Sequence, residues 1–326
     1  MQKPIMQLIN EVIQKMKGYG IYQVTIPLPF WNDNVHCYLA RRDGMWTIID
    51  TAMDRNETRL AWNAAFTEYG VEPNRDVERI LITHHHPDHF EYARQLQQQT
   101  GANVFLSEKE KVVAQNNLDA ESFSRFYLSA GMPQELIMQL QPVNTSANKF
   151  PNNMCTIDTN RLYPIGELLF EAIQMPGHSD GHICFYNSEE QILLSGDHLT
   201  RETIPYISYH GYGNKNPLSE YLETLKQMQL MKISLVLPGH GPIFNDAQVR
   251  IKELLHHYEE RIGFVLEQII GEMSAFQVSN TLLPKRSSVL EKWIALGETN
   301  AYLSYLVGKG EIREYKDGVQ NKYVRS

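Results

Sequence analysis

The sequence predicts an α/β (α+β) protein carrying a small, mostly helical C-terminal domain, and three observations lead to that class. Short apolar runs of strand character alternate with helical patterns along residues 1–245. Four of those runs stop at or beside a residue of metal-ligand type: His84 to His89 after 79–82, His178 after 168–175, Asp197 after 193–194 and His240 after 235–237. Beyond Asn245, Ile251, Leu254, Leu255, Tyr258, Ile262, Val265 and Ile269 keep helical spacing, and two further helical segments and a hairpin pattern follow.

Taken in order, residues 4–17 read as a short amphipathic helix. Strand-like segments follow at 22–28, 35–40 and 45–49, with Asp43-Gly44 turning the chain between the last two. A helix from about 54 to 69 ends at Gly70, a residue suited to a left-handed cap. A strand over 80–83 leads into the histidine run and then a helix over about 87–99, which places Asp88 and His89 at a helix start. Residues 107–160 form a helical insertion of two or three short helices, closing on the polar stretch 144–153. Its Phe123, Phe126, Tyr127, Leu128, Met132, Leu136, Ile137 and Leu140 can make one apolar face, either a layer over the core or a lid over substrate.

The segment 198–213 follows Asp197 and holds three tyrosines, an arginine and two histidines. Aromatic rings can wall an apolar pocket and tyrosine hydroxyls can bind an oxyanion, so Tyr206, Tyr209, His210 and Tyr212 are candidate substrate residues. Tyr206, Tyr209, His198 and His210 are also candidate donors to a leaving group, and His198 can instead steady a metal ligand. Residues 246–326 form the second domain, with helices near 274–282 and 287–307 and a hairpin turned by Lys316-Asp317-Gly318.

The chemistry sits in the ligand-bearing strand ends. His84, His86, Asp88 and His89 give the pattern H-x-H-x-D-H, four potential ligands within six positions. Imidazole and carboxylate suit Zn²⁺, Fe and Mn²⁺, and a loop ending a buried strand can hold them rigidly. His85 points away from its two neighbours if the segment is extended, and is not an expected ligand.

With these motifs the chain resembles the metallo-β-lactamase superfamily: THHHPDH, PGHSDGH, SGDH and PGHGP occur in order, and Ile48-Ile49-Asp50-Thr51 matches the first motif region. The resemblance covers roughly residues 20–245 and implies a four-layer αββα sandwich with a dinuclear metal site at one edge. It implies that His84, His86 and His178 hold one ion, that Asp88, His89 and His240 hold the second, and that Asp197 bridges them. His86 stands where the flavodiiron branch has Glu, and Asp197 where true β-lactamases have Cys. His240 is present, unlike the effective second site of the mononuclear persulfide dioxygenases. The strings look most like the glyoxalase II and general hydrolase branches, and the helices ending in a hairpin resemble a winged helix.

Composition bounds the partners. The 326 residues carry a formal net charge of −8, which disfavours a broad nucleic-acid surface. Residues 246–326 hold 11 Lys and Arg against 11 Asp and Glu, and the helix 287–307 sets Glu291 and Glu298 against Lys292. Phosphate binding needs uncompensated cations, so the domain is read as a packing or homodimerisation module. No apolar run is long enough to span a membrane. Glu11 and Lys15 interrupt the N-terminal stretch where a signal peptide needs an apolar core, and three scattered cysteines make no disulfide framework, so a cytoplasmic protein is expected.

The expected function is a dinuclear metal-dependent hydrolase of a small-molecule thioester, ester or lactone. Two divalent ions, Zn²⁺ first with Fe or Mn also accepted, would share a hydroxide that attacks the acyl carbonyl. Asp88 and Asp197 are the candidate catalytic residues, Asp88 as ligand or as orienter of the nucleophile. A metal-dependent phosphodiesterase or ribonuclease is one alternative, and a non-catalytic metabolite sensor another.

Overall fold

A computed structural model describes residues 5–29, 33–115, 119–140, 150–283, 285 and 287–326. In chain order it contains α1 (Ile5–Gly18), β1 (Ile21–Pro27), β2 (Asn34–Arg42), β3 (Met45–Ile49), α2 (Asn56–Tyr69), α3 (Pro73–Asp76), β4 (Val77–Leu81), α4 (Pro87–Phe90) and α5 (Ala93–Thr100). There follow β5 (Asn103–Leu106), α6 (Glu108–Gln115), α7 (Ala120–Ser129), α8 (Gln134–Ile137), β6 (Cys155–Thr156), β7 (Leu162–Ile165), β8 (Leu168–Gln174), β9 (Ile183–Asn187) and β10 (Ile192–Gly196). The chain closes with α9 (Pro217–Gln229), β11 (Leu235–Pro238), α10 (Ala247–Gln268), α11 (Ala275–Leu282), α12 (Val289–Gly308), β12 (Ile312–Asp317) and β13 (Gln320–Arg325).

The first sheet runs β1-β2-β3-β4-β5-β6 and the second β11-β10-β9-β8-β7. Alternation along each strand sorts the side chains into layers, because successive residues face opposite sides of a sheet. In β2, Cys37 and Leu39 join Trp62, Phe66 and Leu96 of α2 and α5, while Tyr38 and Ala40 face the second sheet. In β9 and β10, Ile183, Phe185, Ile192 and Leu194 face the first sheet, while Cys184, Tyr186 and Leu193 meet the outer helices. The order of layers is therefore helix, sheet, sheet, helix. The Tyr38 hydroxyl donates to the Pro238 carbonyl at 2.8 Å, tying the two sheets together beside the end of β11.

Two expected elements differ from the sequence reading. The helix over about 87–99 is two helices, α4 and α5, because the Tyr92 N–H bonds the Ala52 carbonyl at 3.0 Å instead of continuing the helical ladder. The strand over 80–83 begins earlier and ends at Leu81. The insertion contains α6, α7 and α8 and then β6, and residues 144–149 of its polar stretch lie outside the described residues. The helices expected near 274–282 and 287–307 are present as α11 and α12, each opened by a capping box, Ser274 with Gln277 and Ser288 with Glu291.

The C-terminal segment shares an apolar core with the outer face of the second sheet. Tyr258, Val265, Val278, Leu296, Tyr302, Leu306 and Ile312 lie in one continuous cluster with Tyr127, Leu193, Tyr221 and Val236. Among the described residues no helix is long and apolar enough to cross a membrane.

Candidate metal centre

The ends of β4, β8, β10 and β11 deliver seven ligand-type side chains to one place. Their ligand atoms form two groups, His84, His86 and His178 in one and Asp88, His89, Asp197 and His240 in the other, with the atoms of each group within 4.8 Å of one another. His84 Nε2 lies 3.2 Å from His178 Nε2, and His89 Nε2 lies 3.4 Å from His240 Nε2. Asp197 stands between the groups: Oδ1 is 3.1 Å from His89 Nε2, and Oδ2 is 3.5 Å from both His178 Nε2 and His240 Nε2. Asp88 Oδ2 is 3.3 Å from His240 Nε2.

Outer partners fix how the rings present themselves. Asp50 accepts the Thr83 N–H and hydroxyl, both at 2.8 Å, and the His89 Nδ1–H at 2.9 Å. With its hydroxyl hydrogen given to Asp50, Thr83 Oγ1 accepts from His84 Nδ1 at 3.0 Å. His178 Nδ1–H donates to the Tyr206 carbonyl and His240 Nδ1–H to the Asn34 carbonyl, each at 2.9 Å. Four imidazoles thus spend Nδ1–H on an acceptor and turn Nε2 inward, the arrangement that raises ligand basicity in metal sites. Asp50 reaches its three donors with φ of +58°, a left-handed backbone outside glycine.

Charge inside the site follows the same division. Burial and the neighbouring histidines hold His84 and His86 well below the ordinary imidazole range, and burial lowers His178 against the pull of Asp197. Burial also acts on His240, but Asp197, Asp33 and Asp88 outweigh it and raise its pKa to about 10. At His89 the Asp197 and Asp50 carboxylates likewise overcome burial. Burial opposes ionisation of Asp88, yet its bond to His240 and the charge of His89 bring it down to about 2.

Three features fit a metal. His84 and His178, each giving its Nδ1–H to an oxygen, face each other through Nε2 atoms 3.2 Å apart, and both of these nitrogens would be free to hold a cation. Asp197 Oδ1 is buried with His89 Nε2 at 3.1 Å as its ion-pair partner, and it accepts no hydrogen bond of good geometry. Gly239 closes the other side, where a Cβ would lie 2.5 Å from Asp197 Oδ1 and 2.7 Å from His89 Cε1. The donor set of imidazole and carboxylate suits Zn²⁺, Fe or Mn²⁺.

The segment 198–213 is placed differently from the ligands. Both His210 nitrogens and the Tyr206 hydroxyl are bonded to one another, to Tyr127 and to α12, so none of them is a free donor facing a substrate. Tyr209 N–H bonds the Gly297 carbonyl at 2.9 Å. Tyr212, 42% exposed, lines a cavity of about 630 Å³ with Asp180, Lys109 and Asn214. His198 bonds Thr224 Oγ1 at 3.1 Å rather than a ligand. His182, given no role by its sequence position, accepts the Asp197 N–H at 3.2 Å. His85 points away from the ligand groups, as its register suggests, and meets Glu110, a residue without any local signal in the sequence.

Residues 31–240 match the Metallo-beta-lactamase superfamily. The chain belongs to the metallo-β-lactamase superfamily. Similarity to known proteins extends along nearly the whole chain. It is 25% identical to a probable metallo-hydrolase YqjP of Bacillus subtilis (strain 168), an alignment covering 93% of this chain and 97% of the relative. The metallo-β-lactamase family protein TTHA1429 of Thermus thermophilus superposes with a TM-score of 0.81 at 28% identity, over 94% of this chain and 99% of that one. A β-lactamase domain protein of Burkholderia ambifaria gives a TM-score of 0.83 at 26% identity, over 94% and 92% of the two chains. Both superpositions run past residue 240, so the C-terminal segment is part of what this chain shares with them.

Proposed function

We propose that the protein is a dinuclear metallohydrolase acting on a small thioester, ester or lactone. The observation that carries this reading is the placement of Asp197 between two ligand groups, within 3.5 Å of ligand nitrogens in both. His84, His86 and His178 would hold one divalent ion, Asp88, His89 and His240 the other, and Asp197 would bridge them. When bound, such a pair would supply an activated water at neutral pH and a Lewis acid for developing negative charge. The chain's own contribution is to hold Nε2 of His84, His89, His178 and His240 inward by an Nδ1 bond, and to keep Asp88 and Asp197 ionised among imidazoles. Tyr212, Asp180 and Lys109 line the cavity of about 630 Å³, a candidate substrate-binding surface.

Residues 246–326 support a winged-helix-like reading through the order α10, α11, α12 and the hairpin β12-β13. Much of α12 is spent on packing, with Leu296, Tyr302, Leu303 and Leu306 buried in the shared core. That use, with the balanced charge of the segment, favours a small substrate over nucleic acid as partner.

The test is a panel of acyl thioesters, aryl esters and lactones, with single-stranded RNA as a separate arm, offered to protein loaded with Zn²⁺ or Mn²⁺. Turnover of an acyl substrate that a chelator abolishes and Asp197→Asn reduces at least about 100-fold is expected. Fully loaded protein that is inert toward every acyl substrate, or that cleaves RNA alone, would overturn the proposal.

A further inference from the structure

One hydrogen-bond chain leaves the C-terminal helix, crosses the segment 198–213 and returns to the same helix, and its proton directions are fixed at every step. Trp293 Nε1 can only donate, and does so to Tyr127 Oη at 2.7 Å. Tyr127 in turn donates to His210 Nδ1 at 2.7 Å. Burial holds the His210 pKa down at about 4, so the ring is neutral near pH 7 and, accepting at Nδ1, carries its proton on Nε2. His210 Nε2–H donates to Tyr206 Oη at 3.0 Å, and the Tyr206 hydroxyl donates to the Ile294 carbonyl at 2.8 Å. Every donor has an acceptor and no group is charged.

The chain is also clamped sterically. His210 stacks on Trp293 with ring centroids 4.4 Å apart and planes inclined by 24°. Gly297 of α12 lies directly beneath, where a Cβ would be 2.2 Å from His210 Cε1 and 2.8 Å from Tyr206 Oη. Tyr206 is therefore held through its side chain by α12, while its main-chain carbonyl accepts the Nδ1–H of His178. No other element intervenes between α12 and this ligand: one residue carries both bonds.

We propose that α12 is a positioning element of the metal centre, acting through Trp293, Tyr127, His210 and Tyr206 to hold the carbonyl that sets the tautomer and orientation of His178. Tyr206 and Trp293 are positioning residues and touch no reacting atom. This inference deepens the metallohydrolase reading and rests on His84, His86 and His178 being metal ligands.

The experiment uses the full chain, stripped of metal and reloaded with Zn²⁺ or Co²⁺ in competition with a chromogenic chelator. Tyr206→Phe keeps the ring and removes the link from His210 to Ile294. It should weaken one of the two ions about tenfold while leaving the other near its wild-type affinity, and should alter the Co²⁺ absorption bands. In a His178→Ala background the same substitution should no longer weaken that ion, because the bond it supports is already gone. Trp293→Phe, which keeps a ring against His210, should act in the same direction with smaller effect, and serves if Tyr206→Phe does not fold. Wild-type affinity for both ions in the folded variants would overturn the inference, as would a Tyr206→Phe effect undiminished by His178→Ala. Wild-type protein that binds no metal would instead overturn the underlying ligand assignment, and this inference with it.

Discussion

Glu110 contributes no atom to either ligand group, yet it joins the two loops that carry the first one. Its Oε2 accepts the His85 N–H at 2.8 Å and the His85 Nδ1–H, and its Oε1 accepts Ser179 Oγ at 2.7 Å and Gly181 N at 2.6 Å. Burial opposes its ionisation, but the His85 charge and these bonds win and hold its pKa at about 2. A carboxyl whose folded pKa lies below its ordinary value of 4.5 stabilises the fold above about pH 4.5, and that contribution fades as pH falls toward 2. Glu110→Gln should therefore cost about 3 kcal/mol near neutral pH, and the gap from wild type should narrow by about pH 3. Denaturant titrations at the two pH values check this; a gap independent of pH would show that the carboxylate is not ionised in the fold. The seven ligand-type residues were legible in the sequence because four of them crowd into six positions and the others follow strand-like runs. Glu110 was not: its partners are 25 to 71 residues away and nothing local marks it. Asp50 sat in a readable motif, but its bonds to Thr83 and His89 come from the fold.

Among the elements, those with a strong period or a cap were readable. Ser274 and Ser288 each stand three residues before Gln277 or Glu291, and both open helices as capping boxes. The split of α4 from α5 was not readable, since it depends on the Ala52 carbonyl from another loop. Nor was the segment 198–213. Its aromatic residues suit a pocket wall and a packing joint equally well, and the facing helix decides which. Two helical glycines give opposite expectations on substitution by alanine. At Gly263 of α10 nothing lies within 4 Å of the added methyl, so Gly263→Ala should stabilise by up to about 1 kcal/mol through helix propensity alone. At Gly297 of α12 the methyl would meet His210, so Gly297→Ala should destabilise by about 1–3 kcal/mol despite the same gain in propensity. Thermal melts of the two variants, one raised and one lowered in Tm, are the expected pair. Matching shifts would mean that α12 does not approach the loop so closely.

At the scale of the molecule, the αββα order followed from motifs that imply the family, and the alternation of side chains in β2, β9 and β10 shows it directly. The helical pattern after Asn245 announced a second unit, but periodicity cannot tell which surface an apolar stripe will cover. In the fold, that stripe covers the outer face of the second sheet and α9. Removing residues 246–326 would bare Tyr221, fully buried in the whole chain and in ring contact with Tyr258. The shortened chain should lack a sharp unfolding transition and bind a hydrophobic dye. A truncated protein that melts cooperatively and still takes up metal would show that the catalytic layers close without their cover.

The opposed nitrogens of His84 and His178 give the centre a further property. Two electron-rich atoms kept 3.2 Å apart by bonds on their far sides can neither swap protons nor turn aside without abandoning Thr83 or the Tyr206 carbonyl. Bonds on the far side of each ring therefore set the spacing and direction of both nitrogens, so a cation received between them would be held by the scaffold itself and become part of the architecture.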